Sequence, residues 1–178
     1  METKAKGIEK SIETKAAVSE LELLQLVSFH LDGEEFGLEI LKVQEIIRMQ
    51  DLTRVPNSPK FVEGVFNLRG KVIPVIGLRK RFGMKDCERD KQTRIVVAEV
   101  GGNVLGFVVD SVSEVLRLPA DRIEPAPRLT KVDRDYISGV GKLDDRLLIL
   151  LDVERMMSDS EWKALGPVDP QARRLLDA

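Results

Sequence analysis

The stretch LVSFHLDGEEFGLEILKVQEIIRMQDLTRVP (26–56) recurs later in the chain as IVVAEVGGNVLGFVVDSVSEVLRLPADRIEP (95–125). When the two stretches are aligned, seven of the 31 pairs are identical, which is about three times what composition alone would give. The identities include Gly37 with Gly106. Two copies of one supersecondary unit in a chain of 178 residues predict a paired, pseudo-symmetric architecture.

A second pair of segments extends the repeat at a slightly longer spacing. FVEGVFNLRGKVIPVIGL (61–78) aligns with YISGVGKLDDRLLILLDV (136–153), and Gly64 falls on Gly139. We interpret the positions at which the copies agree as determinants of the fold. The positions at which they differ are candidates for function.

Within each copy the pattern is that of short strands separated by turns. Asp32-Gly33 is a strong hairpin signal, and the segment EFGLEI that follows it alternates apolar and polar residues. LKVQEIIRM (41–49) is compatible with a short helical turn that runs into another strand. Turn signals recur about every 8–12 residues, which is typical of a β-sandwich or barrel. No long amphipathic helices separate the strands, so a βαβ fold is not predicted.

The sequence therefore predicts an all-β fold of two small pseudo-symmetric five-stranded β-barrels, with short helices and a C-terminal helix. Each copy supplies about five strands, and curling each copy into its own barrel removes most exposed edges. The two barrels are then expected to bury a third apolar surface between them. The predicted boundaries are a flexible tail at 1–22, a paired-barrel domain at 23–157 with repeat units of about 26–82 and 95–157, and a helix and tail at 158–178, with Ser158 or Asp159 as the helix cap.

Composition places the chain among globular proteins and argues against some functions. The hydrophobic content is 43% and the charged content 33%, both ordinary for a soluble domain. The net charge of −2 and the scattered Lys and Arg do not form the basic footprint that nucleic-acid binding needs. No apolar run reaches the ~20 residues of a membrane span, and no secretory signal is seen. We expect a cytoplasmic protein.

Motifs for catalysis, cofactors and metals are not found in the sequence. The one histidine, His30, lies in a predicted strand, and the one cysteine, Cys87, lies in a charged segment, so neither has partners for a metal site. Neither of the two glycine-rich phosphate-binding motifs, GxGxxG and GxxxxGK(S/T), occurs in the sequence. Asp144 and Asp145 are adjacent, so on a strand they would point to opposite faces, and they are better explained as turn formers. We expect no catalytic residues, no cofactor and no metal.

The clearest difference between the copies lies at one turn. NLRG (67–70) in the first copy aligns with KLDD (142–145) in the second. We attribute the shared leucine to the fold. An arginine beside a glycine at a turn presents an exposed, planar head with five N–H donors. Arg69 is therefore a candidate binding residue. The alternative at this point is a solvated turn residue, which is the usual role of a surface arginine.

Taken in order, the motifs resemble those of the CheW family of bacterial chemotaxis coupling proteins. The resemblance spans about 23–157 and rests on LVSFHLDGEEFGLEILKVQEII (26–47), VEGVFNLRGKVIPVI (62–76), LGFVVDSVSEVLRL (105–118) and ISGVGKLDDRLLILLD (137–152). GxxNLRG is the most specific of these motifs. The resemblance implies two five-stranded barrels, no catalytic activity, and a bridging role between transmembrane chemoreceptors and the histidine kinase CheA. It also implies recruitment from the cytoplasm to receptor arrays at the inner membrane.

The resemblance further implies which residues bind partners. In the family the receptor tip, a helical hairpin, docks between the barrels, and the acidic residue of VQEI and the arginine of NLRG take part. These residues are Glu45 and Arg69 in this sequence. Weaker candidates beside them are Val43, Ile46, Asn67, Leu68 and Gly70. The regulatory domain of CheA, itself similar to CheW, is expected to bind at exposed barrel ends.

Two features depart from a simple transfer of the family pattern. Glu45 aligns with Glu114 of the second copy, which has no NLRG partner, so Glu45 is expected to be partly structural. Gly77 stands where the family commonly has Asp in a PVIDL run, whereas the second copy keeps Asp152 at the matching place. The loss of that carboxylate is expected either to loosen a local turn or to alter a contact with a partner.

Three other functions stay open at this point. A coupling protein of a non-motility chemosensory array would carry the same motifs. A small catalytic β-barrel would need polar groups such as Glu45, Asp152 and His30 to converge on one cavity. An oligonucleotide-binding barrel would need aromatic stacking platforms interleaved with a basic patch, which the sequence does not show.

Overall fold

The computed structural model of the chain describes residues 23–126 and 134–164. The tail predicted at 1–22 lies outside the described residues, as do residues 127–133 and those from 165 onward, which include the rest of the segment predicted at 158–178. Most of the described chain is in strands. These are β1 (Leu23–Leu31), β2 (Glu34–Glu39), β3 (Val43–Arg48), β4 (Val62–Leu68), β5 (Lys71–Gly77), β6 (Arg94–Val100), β7 (Asn103–Val109), β8 (Ser111–Pro119), β9 (Ile123–Glu124), β10 (Ile137–Lys142) and β11 (Leu147–Leu151).

The helices in the described part of the chain are short. They are α1 (Leu78–Arg81), α2 (Asp159–Ala164) and 3-10 turns at Ile40–Lys42, Ala120–Arg122, Arg134–Tyr136 and Val153–Arg155. The Ser158 N–H donates to Glu161 Oε1 at 2.9 Å, and the Glu161 N–H donates to Ser158 Oγ at 3.2 Å. This reciprocal pair is a capping box, which fixes the start of α2. The prediction of an all-β fold with short helices and a helix near the C-terminus is confirmed.

The strands form two sheets, and each sheet contains strands from both copies. Sheet 1 has the order β8-β1-β2-β11-β10-β9, and sheet 2 has the order β3-β6-β7-β5-β4. The expectation that each copy curls into its own barrel is therefore wrong. The three-residue connection Ile40–Lys42 carries the chain from β2 in sheet 1 to β3 in sheet 2. As a result, the first hairpin of each copy pairs with the later strands of the other copy.

The two sheets are assembled in the same way, as the repeat predicted. β1 pairs antiparallel with β8, and its counterpart β6 pairs antiparallel with β3. β2 pairs parallel with β11, and its counterpart β7 pairs parallel with β5. The two-residue β9 adds a sixth strand to sheet 1, whereas only a single bridge between Thr53 and Val65 occupies that edge of sheet 2. The exchange of hairpins makes the two sheets interdependent.

Three apolar clusters fill the described part of the molecule. One cluster in sheet 2 centres on Phe66 and Val97, and one in sheet 1 centres on Leu26 and Leu148. The largest draws residues from both sheets and lies between them. Within it the rings of Phe29, Phe36, Phe82 and Tyr136 stack in series, with 5.9 Å between successive centroids. This cluster is the third apolar surface that the repeat predicted.

The side chain of Glu63 occupies the space next to Gly77 in which a Cβ would lie. A Cβ built on Gly77 would overlap Oε1 of Glu63 and lie 3.1 Å from that residue's Cδ and Cγ. Glu63 is largely buried there and pairs with Lys80 Nζ at 3.0 Å and with Arg89 Nη2 at 2.9 Å. A carboxylate on the adjacent strand thus fills the space in which an aspartate at position 77 would need to fit. The departure at Gly77 is explained by Glu63.

We therefore expect Gly77→Asp to destabilise the fold by ~1–3 kcal/mol through overpacking and like-charge repulsion. Adding Glu63→Ala to the same chain should recover part of that loss. The measurement is a double-mutant cycle by urea unfolding, with Glu63→Ala alone as the control. Equal stability of Gly77→Asp and the unmodified chain would show that the two side chains do not compete for space.

Three carboxyl groups have pKa values held below their ordinary range. Burial alone would raise the pKa of Asp110, but hydrogen bonds from the Arg79 side chain and the Asp32 backbone N–H lower it. Burial would likewise raise the pKa of Glu161, but hydrogen bonds from Ser158 and the charge of Arg81 lower it. The third is Glu35, whose pKa is lowered by Arg146 against the effect of burial. Each group binds its proton more weakly in the folded chain than in the unfolded chain.

Stability is therefore expected to depend on pH on the acid side. A lowered folded-state pKa stabilises the native state fully above the unfolded pKa, and that contribution is lost as the pH falls through the folded pKa. The ordinary values are 3.8 for Asp110 and 4.5 for Glu161 and Glu35. The melting temperature should be nearly constant from about pH 7 down to about pH 5 and fall steeply below about pH 4. A melting temperature that stays constant down to pH 3 would contradict the three assignments.

Candidate functional site

Glu45 and Arg69 form an ion pair that joins the two edges of sheet 2. Glu45 lies on β3 and Arg69 on the turn between β4 and β5, so they come from opposite edges of the sheet. Arg69 Nη2 donates to Glu45 Oε1 at 2.9 Å. This contact is possible because the sheet curls and brings its edge strands together. The side chain of Arg69 is 77% exposed and that of Glu45 is 24% exposed, so the pair lies at the surface.

The NLRG motif builds the turn that presents this arginine. Arg69 and Gly70 both have positive φ values, 52° and 83°, and Leu68 pairs with Lys71 across the hairpin. This is the geometry of a two-residue type I′ turn. The Gly70 N–H donates to Asn67 Oδ1 at 2.8 Å, which holds the turn closed. Leu68 packs against the apolar cluster of sheet 2. Three residues of the motif thus fix the backbone and leave the Arg69 head in solvent.

The candidates on β3 are divided between the two faces of the strand. Glu45 and Ile47 pair with residues of the sheet 2 cluster, whereas the register shift between Val43 and Glu45 turns Val43 to the other face, where it packs against the largest apolar cluster. Ile46 is exposed between Glu45 and Ile47 and therefore points away from Glu45. The structure brings Glu45 together with Arg69 and its turn. It does not bring Ile46 to the same face.

The second copy contains a corresponding ion pair that the alignment did not reveal. Arg146 Nη2 lies 3.2 Å from Glu114 Oε1. Glu114 thus has an arginine partner although the second copy lacks the NLRG motif. Arg146 was missed because it aligns with Lys71, two positions beyond Arg69. A basic residue near the second turn, on the same side as Glu114, was the signal available in the sequence.

The two arginines are held very differently. Arg146 contacts Glu35, Glu114 and Asp145, and Glu35 is only 6% exposed. Its five donors are largely engaged within the chain. In the described part of the chain, Arg69 makes one side-chain hydrogen bond, to Glu45. Most of its donors remain available to another molecule.

Exposed apolar side chains beside these pairs were only partly predicted. Leu41, on the connection from β2 to β3, is 95% exposed and was not singled out by the sequence analysis. Val115 and Leu147 are exposed next to Glu114 and Arg146. Val115 aligns with the exposed Ile46, so the repeat held a signal for both positions.

The described residues offer little for other chemistry. Among them, no group of three or more His, Cys, Asp or Glu side chains is arranged to hold a metal ion. His30 Nδ1 lies 2.9 Å from Ser113 Oγ. None of the helices in residues 23–126 and 134–164 is long and apolar enough to cross a membrane.

Comparisons with known proteins agree on one family. The family model described as "CheW-like domain" matches residues 25–161. The chain is 43% identical to the chemotaxis protein CheW of Klebsiella aerogenes over 145 residues, which cover 81% of this chain and 87% of the relative. It is 38% identical to the chemotaxis protein CheW of Helicobacter pylori over 136 residues, or 76% of this chain and 82% of the relative. The crystal structure of the scaffolding protein TtCheW from Thermoanaerobacter tengcongensis superposes with a TM-score of 0.73 at 37% identity, covering 78% of this chain and 90% of that one.

Proposed function

The chain belongs to the CheW-like domain family, and we propose on this basis that it is a non-catalytic adaptor that couples transmembrane chemoreceptors to the histidine kinase CheA in signalling arrays. The relatives are named chemotaxis proteins, and the structural neighbour is named a scaffolding protein. Scaffolding requires binding surfaces and no reacting groups. We also propose residues 23–157 as the unit that carries this function, with repeat units of about 26–82 and 95–157.

The observation that best supports receptor binding is the available arginine of the Glu45–Arg69 pair. An amphipathic helix can lay its apolar face into a groove between two packed layers. Leu68 supplies apolar surface beside Arg69, and Asn67 and Gly70 hold the turn. Val43 faces the other side of β3 and is proposed as a peripheral contact. Arg69 can donate hydrogen bonds to a carboxylate or carbonyl oxygen of the receptor tip, because most of its donors are unused. Ile46 points to the other face and is proposed as a peripheral contact.

Kinase binding is assigned to the exposed ends of the two sheets. The regulatory domain of CheA is the proposed partner, in a complex that forms in the cytoplasm at receptor arrays on the inner membrane. Exposed apolar residues at strand edges, such as Val115 and Leu147, provide surface for a protein contact of this kind.

The test is affinity purification of the tagged chain from its native cells, followed by identification of the proteins retained. We expect chemoreceptors and a chemotaxis kinase to be enriched together. The identity of those receptors and of the kinase also separates a motility array from another chemosensory array. Recovery of neither class at micromolar bait concentration would overturn the proposal.

A further inference from the structure

The Arg81 guanidinium is enclosed by groups from both halves of the molecule. Arg81 lies on α1, directly after β5. Its Cζ lies 4.7 Å from the centroid of the Phe61 ring and 4.9 Å from that of Tyr136. Its Nε donates to the Met156 carbonyl oxygen at 2.6 Å. The side chain is only 15% exposed, so these contacts are made largely out of water, where cation–π and charged hydrogen bonds are strongest.

The repeat shows why this position is special. Phe61 aligns with Tyr136, and when the same alignment is continued along the chain Arg81 aligns with Met156. Aligned residues that touch each other must face each other across the axis that relates the two copies. Arg81 and Met156 do touch. Arg81 therefore lies at the pseudo-twofold axis, between two equivalent rings.

The same residues form the bases of the two equivalent hairpins. The Gly77 N–H donates to the Phe61 carbonyl at 2.8 Å at the base of β4–β5, and the Asp152 N–H donates to the Tyr136 carbonyl at 2.8 Å at the base of β10–β11. The turn of the first hairpin carries Arg69, and the turn of the second precedes Arg146. By contacting Phe61, Tyr136 and Met156, Arg81 ties one hairpin base to the other. Arg81 thus adds a polar contact between the hairpin bases to the apolar packing of the largest cluster.

A second set of contacts joins the Arg81 guanidinium to α2. Arg81 Nη1 and Nη2 donate to the two carboxylate oxygens of Glu161, both at 3.0 Å. Glu161 is also the capping-box residue of α2. Planar, bidentate pairing of this kind fixes orientation as well as distance. A lysine could supply the charge but not this geometry.

We propose that Arg81 is a positioning residue for the Glu45–Arg69 site: it holds the base of the β4–β5 hairpin, whose turn carries Arg69, against the base of the β10–β11 hairpin, and so sets where Arg69 lies relative to the receptor tip. This inference rests on the proposed function. Arg81 acts from the opposite end of the β4–β5 hairpin, through the hairpin base. It makes no contact with the receptor in this proposal.

The test compares Arg81→Met with Glu161→Gln and Arg155→Met. The first variant keeps the length of the side chain and removes the guanidinium. The second loosens α2 and leaves Arg81 between the rings. The third removes an exposed arginine beside Met156 as a control. Affinity for a purified chemoreceptor cytoplasmic fragment, fluorescence of the single tryptophan Trp162, and amide exchange at Gly77 and Asp152 are measured well below the melting temperature.

We expect Arg81→Met to weaken binding of the fragment about tenfold and to speed exchange at both hairpin bases. Glu161→Gln should shift the Trp162 emission and leave affinity within about threefold of the unmodified chain. Arg155→Met should leave the affinity, the Trp162 emission and exchange at Gly77 unchanged. A change confined to Asp152 would reflect the loss of its own ion pair with Arg155, whose Nε lies 3.4 Å from Asp152 Oδ2. If Arg81→Met fails to fold, Arg81→Lys should show the same losses in smaller measure. Unchanged exchange at Gly77 and Asp152, or an equal loss of affinity in Glu161→Gln, would overturn the proposal. If the unmodified chain itself does not bind the fragment, the proposed function fails, and the exchange data still decide whether Arg81 holds the hairpin bases.

Discussion

Arg69→Glu is expected to lower affinity for the receptor tip at least ~30-fold, which corresponds to a loss of ~2 kcal/mol at a binding hot spot. The substitution removes an exposed cation whose donors are mostly unused within the chain, and it places a like charge beside Glu45. The melting temperature should change by only about 3 °C or less, since an exposed ion pair contributes ~0–1 kcal/mol. Titration of a purified receptor fragment and thermal unfolding measure the two effects.

The matched control is Lys71→Glu. Lys71 is exposed, lies two residues from Arg69 on the same hairpin, and undergoes the same change of charge. The affinity of Lys71→Glu for the receptor fragment should stay within about threefold of the unmodified chain. The change of charge alters general electrostatic attraction equally at Lys71 and Arg69, but only Arg69 is proposed to pair specifically with the receptor. If Arg69→Glu binds the receptor fragment normally, or if it unfolds, Arg69 does not have the assigned role. Equal losses of affinity in Arg69→Glu and Lys71→Glu would show that the effect comes from net charge alone.

Arg146→Met, in contrast to Arg69→Glu, is expected to lower the stability of the fold strongly. Arg146 is the partner of Glu35, a carboxylate that is almost fully buried in sheet 1. Removing only the arginine leaves that charge in the interior without a counterion, a change that is strongly destabilising in proteins. The melting temperature should fall by about 5 °C or more. Thermal unfolding at neutral pH measures this directly.

Two further variants distinguish the effect of leaving the Glu35 charge unpaired from a general effect of removing a surface charge. Arg122→Met removes an arginine whose partner Asp144 is exposed, and it should leave the melting temperature nearly unchanged. Adding Glu35→Gln to Arg146→Met removes the uncompensated charge and should restore much of the lost stability. If Arg146→Met is as stable as Arg122→Met, the burial of Glu35 does not contribute to stability. The proposal that Arg146 stabilises the fold while Arg69 binds the receptor would then be wrong.

The sequence predicted the fold class because the repeat and the turn chemistry are local signals. Asp32-Gly33 and Arg69-Gly70 both adopt the positive φ values that hairpin turns demand. The exchange of hairpins between sheets could not be predicted in the same way. Strand alternation shows that a strand has a buried face, but it does not show which strand will pair with its edge. The three-residue connection at Ile40–Lys42 decides that partner, and its direction is set by tertiary packing.

The candidate site was predicted in part. Glu45 and Arg69 are 24 positions apart and come from opposite sheet edges, yet they form the pair that the family resemblance implied. The contribution of Arg146 was hidden by a two-residue shift relative to Arg69. Arg81 was not found either, because its partners Phe61, Tyr136 and Glu161 are distant in sequence and meet only when the two copies pack. The Gly77 departure likewise needed the position of Glu63 on the neighbouring strand.

The central claim is that the chain bridges receptor and kinase, and that Arg69 makes the receptor side of the bridge. The most direct measurement is co-sedimentation of purified CheA with chemoreceptor-containing membrane vesicles, with and without the chain. We predict that the kinase sediments with the vesicles when the unmodified chain or Lys71→Glu is added, and stays in the supernatant with Arg69→Glu or with no chain. Sedimentation of the kinase to the same extent with Arg69→Glu, or its failure to sediment with the unmodified chain, would contradict the account.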